Sequence, residues 1–153
     1  ETVNLGVLSH GRIIYLDTIE SRQRLRVTVP ITMQDNVHAT ALGKAILSVM
    51  STEVALGILN ETELLQRTKN TILTRERLLE ATQKAKEVGY AIDNEEDEIG
   101  FRCVATPIIN LRNFPVAAIS VTGPTSRLSL ENFSEIGEYL RILAAGLRKS
   151  FPN

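Results

Sequence analysis

Cysteine is almost missing from this chain: of 153 residues only Cys103 carries a thiol. No intrachain disulfide can form, and a reducing, cytoplasmic setting is the natural reading. Positive charge is not in excess either, with 17 Lys plus Arg against 18 Asp plus Glu and a formal charge of −1. A domain that neutralises several DNA phosphates by itself carries a marked basic excess, so direct nucleic-acid binding by this segment is disfavoured. No apolar run approaches the ~18 residues that span a bilayer, and no signal-peptide pattern opens the chain. The sequence also has no GxGxxG, no Walker-type loop, no CxxC and no paired histidines at helical spacing, so neither a cofactor nor a metal ion is expected.

What is present is an ordinary globular composition, 43% hydrophobic and 23% charged. The length suits one domain covering 1–153, and a chain of this size buries roughly two-thirds of its unfolded surface without metal or disulfide help. There is no internal repeat, low-complexity tract or interdomain linker. The first residue is Glu1 rather than Met, which reads as a domain of a longer protein.

The first thirty residues alternate like strands. Val3, Leu5 and Val7 share one face; Ile13, Tyr15 and Asp17 alternate with Ile14, Leu16 and Thr18; and Ser9-His10-Gly11-Arg12 between them has hairpin chemistry. Arg24 to Ile31 reads as a third strand. Leu42, Ala45, Ile46, Val49 and Met50 then repeat at helical spacing, predicting a short apolar helix over 40–50. A second runs from a Ser51 or Thr52 cap to about Leu59. Residues 60–73 are polar and irregular, with room for one helical turn at 61–65. Thr74 caps the next helix, whose Leu78, Thr82, Ala85 and Val88 form the buried stripe and which Gly89 stops. Short strands follow at 90–93, 102–110 and 116–122. Ser129 caps a last helix with Ile136, Leu140, Leu143 and Leu147 on its inner stripe. Strand hairpins, helices, another hairpin and a closing helix predict an α+β domain with a mostly antiparallel sheet.

Four features can carry chemistry. His38-Ala39-Thr40-Ala41-Leu42-Gly43-Lys44 places small residues at a helix start, where free N–H groups suit a carboxylate or phosphate; the same small residues also permit close helix–sheet packing. His38 itself reads as a capping or structural residue. Asp93 ends a short strand and points along the sheet, whereas the acidic run 95–98 reads as a solvated loop. Cys103 on its strand fits an inert core position. Ser120 and Thr122, two apart on a strand, place both hydroxyls on one face, either towards solvent or in a half-polar pocket.

Three stretches together are familiar. His38-Ala39-Thr40-Ala41-Leu42-Gly43-Lys44-Ala45 resembles the H-A-S/T-A-x-G-K-A helix start of the IclR family of bacterial transcriptional regulators. Gly89-Tyr90-Ala91-Ile92-Asp93-Asn94-Glu95-Glu96, continuing through Glu98, Gly100 and Arg102-Cys103-Val104-Ala105, resembles the family's G-Y-x-x-D-x-E-E-x-x-x-G-x-R-C-x-A signature. Ala118-Ile119-Ser120-Val121-Thr122-Gly123-Pro124-Thr125-Ser126-Arg127 is similar to its A-I-S-V-S-G-P-x-x-R strand and turn. The resemblance spans essentially the whole chain. It implies a GAF/PAS-like effector-binding domain: a curved, mostly antiparallel sheet with helices packed against it and a ligand pocket. DNA would be bound by an N-terminal winged helix-turn-helix that this chain lacks, and the regulator would form a homodimer or homotetramer. The family pocket takes small organic acids, and its binding positions carry over to Ala41 and Leu42 through their N–H groups, and to Asp93, Cys103, Ser120 and Thr122. Relatives often have Gly at 41 and Ser at 122, so Ala and Thr here narrow the pocket. Arg24 and Val27 would close its mouth.

The leading expectation is therefore a metabolite sensor without catalysis. Two rivals use the same residues: a hydrolase with Cys103 as nucleophile, His38 as base and Asp93 as orienter, or a metal site built from His38, Asp93 and Cys103.

Overall fold

The computed structural model describes residues 1–152. Strands β1 (Thr2–Ser9) and β2 (Arg12–Ile19) form the first hairpin, turning through His10 and Gly11, both at positive φ. Next come β3 (Gln34–Asn36) and three helices, α1 (Ala41–Ser48), α2 (Thr52–Glu61) and α3 (Arg75–Val88). The chain returns through β4 (Ala91–Asn94), β5 (Phe101–Ile109) and β6 (Pro115–Pro124) and closes with α4 (Phe133–Leu147). All six strands join one curled antiparallel sheet in the order β3-β2-β1-β6-β5-β4. The predicted α+β class, with helices packed on a curved antiparallel sheet, is the observed one.

Local signals set most boundaries. Thr40, Ser51 and Thr74 each accept a hydrogen bond from the backbone N–H three residues on, closing the open donors of α1, α2 and α3. Gly89 ends α3 in the left-handed conformation. Every residue of α1 is buried, so this helix is enclosed between the sheet's inner face and α3. The main core, including Ile13, Leu42, Leu47, Leu59, Leu78 and Ala105, fills that layer. A second layer under α4 packs Phe133, Leu140 and Ala144 against Val104, Ile108 and Ala117 on the outer face.

At the N-terminal end of the sheet Val3, Leu5 and Val7 share one face as expected, and the alternation breaks in β2. Thr2, Asn4 and Gly6 are the buried residues of β1, while Val3, Leu5 and Val7 are half-buried on the outer face. In β2, Leu5 pairs with Asp17 but Gly6 pairs with Tyr15, leaving Leu16 as an extra residue. This bulge puts Asp17 on the face opposite Ile13 and Tyr15. The stretch 24–31 is not a strand. The β2 edge is taken by 32–36 instead: Thr32 donates to the Tyr15 carbonyl at 2.8 Å, Tyr15 to that of Met33 at 3.1 Å, and β3 pairs beyond them. With that edge occupied, 24–31 is held by side chains, Thr2 Oγ1 donating to the Val27 carbonyl and Arg127 to that of Leu25, both at 2.7 Å.

Three helical details also shift. No helical turn occupies 62–65, because α2 ends at Glu61. Val88 is half exposed and outside the α3 stripe. Ser129 opens only a short 3₁₀ turn, and α4 begins at Phe133 with Phe133, Gly137, Leu140 and Ala144 inward. Tyr90 lies so close to Gly137 that any side chain there would meet its ring, and Leu143, expected inside, is exposed.

Candidate functional site

The curl of the sheet and the start of α1 border a partly open cavity of about 260 Å³. Strand register builds its floor. Asp93 on β4 lies opposite Cys103 on β5, Cys103 opposite Thr122 on β6, and Thr122 opposite Thr2 on β1, so one row of side chains crosses four strands. The next row runs Ala91, Ala105, Ser120, Asn4 and Thr18. Above the floor stands the start of α1. Thr40 Oγ1 takes the Gly43 N–H at 3.1 Å and the Thr40 carbonyl takes that of Lys44 at 3.2 Å. The N–H groups of Ala41 and Leu42 have no acceptor within the helix, and both residues line the cavity.

Of the six expected positions, Ala41, Leu42, Asp93, Cys103 and Thr122 line this one cavity. Ser120 lies in the row behind, fully buried, and its Oγ accepts from Asn4 Nδ2 at 3.4 Å. At the mouth, Val27 is present but Arg26 stands where Arg24 was expected.

The floor holds a hydrogen-bond chain that the sequence reading missed. Thr18 Oγ1 donates to Asn4 Oδ1 at 2.9 Å, Asn4 Nδ2 donates to Thr122 Oγ1 at 3.2 Å, and Thr122 Oγ1 donates to Cys103 Sγ at 3.0 Å. Polar side chains at two successive inward positions of β1, Thr2 and Asn4, were the available signal. The chain commits the Thr122 proton to sulfur. Burial also pushes the Cys103 thiol up to about 12, so it stays neutral at physiological pH.

The acidic run is a solvated loop only in part, Glu98 being exposed. Glu96 is buried, and Lys44 Nζ sits 2.5 Å from both of its carboxylate oxygens; Lys44 itself is only 2% exposed. Thr68 and Thr71 donate to the Glu95 and Glu96 carbonyls, each at 2.7 Å. The Glu96 N–H in turn donates to Asp93 Oδ1 at 2.7 Å. The pair therefore ties the α1 wall of the cavity to the Asp93 wall. A single charged residue, Lys44, inside an all-round-buried helix was the clue that a buried anion had to meet it.

His38 does not face Asp93 or Cys103 across the cavity. Its Nε2 donates to the Leu65 carbonyl at 3.0 Å, and burial lowers its pKa. A Cys103–His38–Asp93 triad is not assembled. Among the described residues no three or more His, Cys, Asp or Glu side chains converge to hold a metal ion.

Burial pushes the Asp93 carboxyl up to about 7, against the pull of Lys44 and of the Glu96 N–H. Between the ordinary carboxylate pKa of about 4 and pH 7, the folded state then binds more protons here than the unfolded chain. This site's contribution to stability is present at the acid end of that window and is lost as pH rises through it. Asp93→Asn should flatten the decline in urea midpoint between pH 4.5 and 7.5; superimposable profiles for parent and variant would remove Asp93 as its source.

With this geometry in place, similarity to known proteins is informative. A family model described as "Bacterial transcriptional regulator IclR C-terminal" matches residues 1–148. The chain is an IclR-type C-terminal domain. This domain is 33% identical over 141 residues to the HTH-type transcriptional repressor AllR of Escherichia coli (strain K12), covering 92% of the chain and 52% of the repressor. It thus spans about half the length of such relatives. Its fold matches the crystal structure of Thermotoga maritima IclR with a TM-score of 0.93 at 31% identity, covering 100% of this chain and 62% of that one. It also matches the inducer-binding domain of a double mutant of the PobR transcription factor from Acinetobacter, crystallised with 3-hydroxybenzoic acid. There the TM-score is 0.84 at 25% identity, with 97% of this chain and 88% of that one covered.

Proposed function

We propose that this IclR-type domain is the metabolite-sensing part of a bacterial transcriptional regulator, that it binds a small organic acid in the cavity, and that it performs no catalysis. The observation that carries this reading is the pair of N–H groups at Ala41 and Leu42, left without an acceptor inside the helix at the point where α1 lines the cavity. A helix start of this kind attracts a carboxylate through its donors and its macrodipole. Asp93, Cys103 and Thr122 would contact the rest of the ligand, with Ser120 sharing the Asn4 amide donor with Thr122. The ligand of the PobR domain, an acid bound within the same fold, supports the assignment.

In this reading residues 1–153 form the effector domain, and DNA is contacted by a separate N-terminal segment of a cytoplasmic regulator. The near-neutral charge of the chain is consistent with that division. Effector binding would be read out through a dimer or tetramer. The outward face of α4, with Tyr139, Ile142 and Leu143 well exposed, is the apolar surface available for self-association.

Small carboxylic acids should raise the melting temperature and their methyl esters should not. At one hundred times its dissociation constant an acid adds about 2.7 kcal/mol to stability. A panel of two- to six-carbon and aromatic acids, scanned by differential scanning fluorimetry, tests this, and a panel that shifts nothing would overturn the reading.

A further inference from the structure

The outward face of α4 carries a pattern that a single copy of the fold does not use. Phe133, Gly137, Leu140 and Ala144 make up the inner stripe of this helix. On the opposite side Glu135, Tyr139, Ile142 and Gly146, with Lys149 in the 3₁₀ turn that follows, recur at alternating spacings of four and three residues. That is the spacing at which one helix presents a seam to another. The middle of the seam is apolar and open, Tyr139 being 69% exposed and Ile142 59%, with Leu143 beside them.

The two ends of the seam are complementary in charge. Glu135 stands at one and Lys149 at the other, and neither has an ion-pair partner among the described residues. The neighbouring cations are already committed, Arg141 to Glu138 and Arg148 to Asn113 Oδ1, both at 2.6 Å. A two-fold axis through Ile142, perpendicular to the helix, brings Glu135 of each copy against Lys149 of the other, because the two lie at equal distances either side of it. The same axis lays Tyr139 over Ala145 and Gly146 of the second copy. Glycine is a poor helix former, and no atom of the chain lies within 4 Å of a carbon added at Gly146, so nothing within one copy calls for it. Gly57 in α2 is as open, and openness alone decides nothing; Gly146 differs in standing on the seam where the Tyr139 ring would arrive. A parallel pair would instead set like charges against each other at both ends. An acidic start and a basic end also suit the macrodipole of α4 itself. The charges therefore fix the direction of pairing, while the apolar centre and the glycine notch supply the contact.

Resting on the self-association named above, we propose that two copies of this chain pair through α4, antiparallel about a two-fold axis at Ile142, with Tyr139 packed on Gly146 and Glu135 paired with Lys149 across the interface. About four turns of helix bury less than the ~800 Å² per partner of a standard interface, so the pair is weak in this chain alone.

Sedimentation equilibrium at low salt should show monomer and dimer in exchange, with a dissociation constant on the order of tens of micromolar. Ile142→Glu should abolish the dimer. Gly146→Leu should weaken it about tenfold or more while raising the melting temperature of the dilute protein, since leucine is the better helix former and the position is open in one copy. Charge swaps test the direction. Glu135→Lys and Lys149→Glu should each weaken association about tenfold, the axis doubling each change, and Glu135→Lys/Lys149→Glu should restore it. In a parallel pair neither single swap changes the number of like-charge contacts, so single variants that associate like the parent overturn the antiparallel register. A chain that is still monomeric at about 300 µM, or a dimer that Ile142→Glu leaves intact, overturns the interface. Acid binding by Ile142→Glu reports separately on the sensor reading, because the cavity and α4 lie on opposite faces of the sheet.

Discussion

Lys44→Met should cost about 3–5 kcal/mol of stability, because removing one member of a buried ion pair strands the other charge in a poor solvent. The arrangement leaves little room for relief. Glu96 is 7% exposed, and both of its oxygens lie within 2.5 Å of the one ammonium group. Its backbone is pinned by Thr71, which donates to the Glu96 carbonyl, so the segment cannot carry the carboxylate out to water without losing that bond and only rotation of the side chain itself is left. Methionine occupies nearly the same volume, so the loss measures charge rather than a cavity. The double variant Lys44→Met/Glu96→Leu should recover most of it, since replacing both ions with apolar groups is often neutral or stabilising. Urea denaturation at neutral pH separates these outcomes. A single variant that loses less than about 1 kcal/mol would mean that water already reaches the pair. Ligand affinity should fall further than stability alone explains, because the same pair sets the separation between the Ala41 and Asp93 walls.

Gly43→Ala should be nearly as damaging, against the usual trend. Alanine is the better helix former by about 1 kcal/mol, and in an open helix the exchange stabilises. At Gly43 the added carbon would lie 2.0 Å from the Val37 carbonyl oxygen and 2.6 Å from its carbon. Both are backbone atoms and cannot step aside as a flexible side chain would. Overpacking of this kind costs about 1–3 kcal/mol or more, which exceeds the propensity gain. Relief requires α1 to move away from Val37, which carries the Ala41 and Leu42 amides with it, so acid binding should be lost in the same variant. Gly57→Ala is the control: it lies inside α2 with nothing within 4 Å of the added carbon, and should add up to about 1 kcal/mol. Melting curves for the two variants that shift in the same direction would refute the packing argument. The sequence reading left the small residues of this segment open between ligand access and close packing. At Gly43 close packing is what positions the amides.

Features encoded by near neighbours in the chain were legible without a structure. Thr40, Ser51 and Thr74 cap because a side-chain oxygen meets an N–H three residues on, and Gly89 stops α3 because the left-handed turn suits glycine. The motifs containing Ala41, Leu42, Asp93, Cys103 and Thr122 were also recognisable, and the structure gathers those residues around one cavity. What lay beyond local encoding was decided by tertiary partners. Alternation along β1 separates Val3, Leu5 and Val7 from Thr2, Asn4 and Gly6 but does not say which set turns inward. The inner set is polar because its partners across the sheet are Thr18, Ser120 and Thr122. The 24–31 segment has strand composition, yet the β2 edge next to it is occupied by 32–36. The acidic run has every mark of a solvated loop except Lys44, 52 residues away from Glu96, and burial of a charge depends on that distant counter-charge rather than on neighbouring residues. Asp35 and Tyr15 went unnoticed for the same reason: nothing near either one in sequence indicates that they line the same cavity as Asp93.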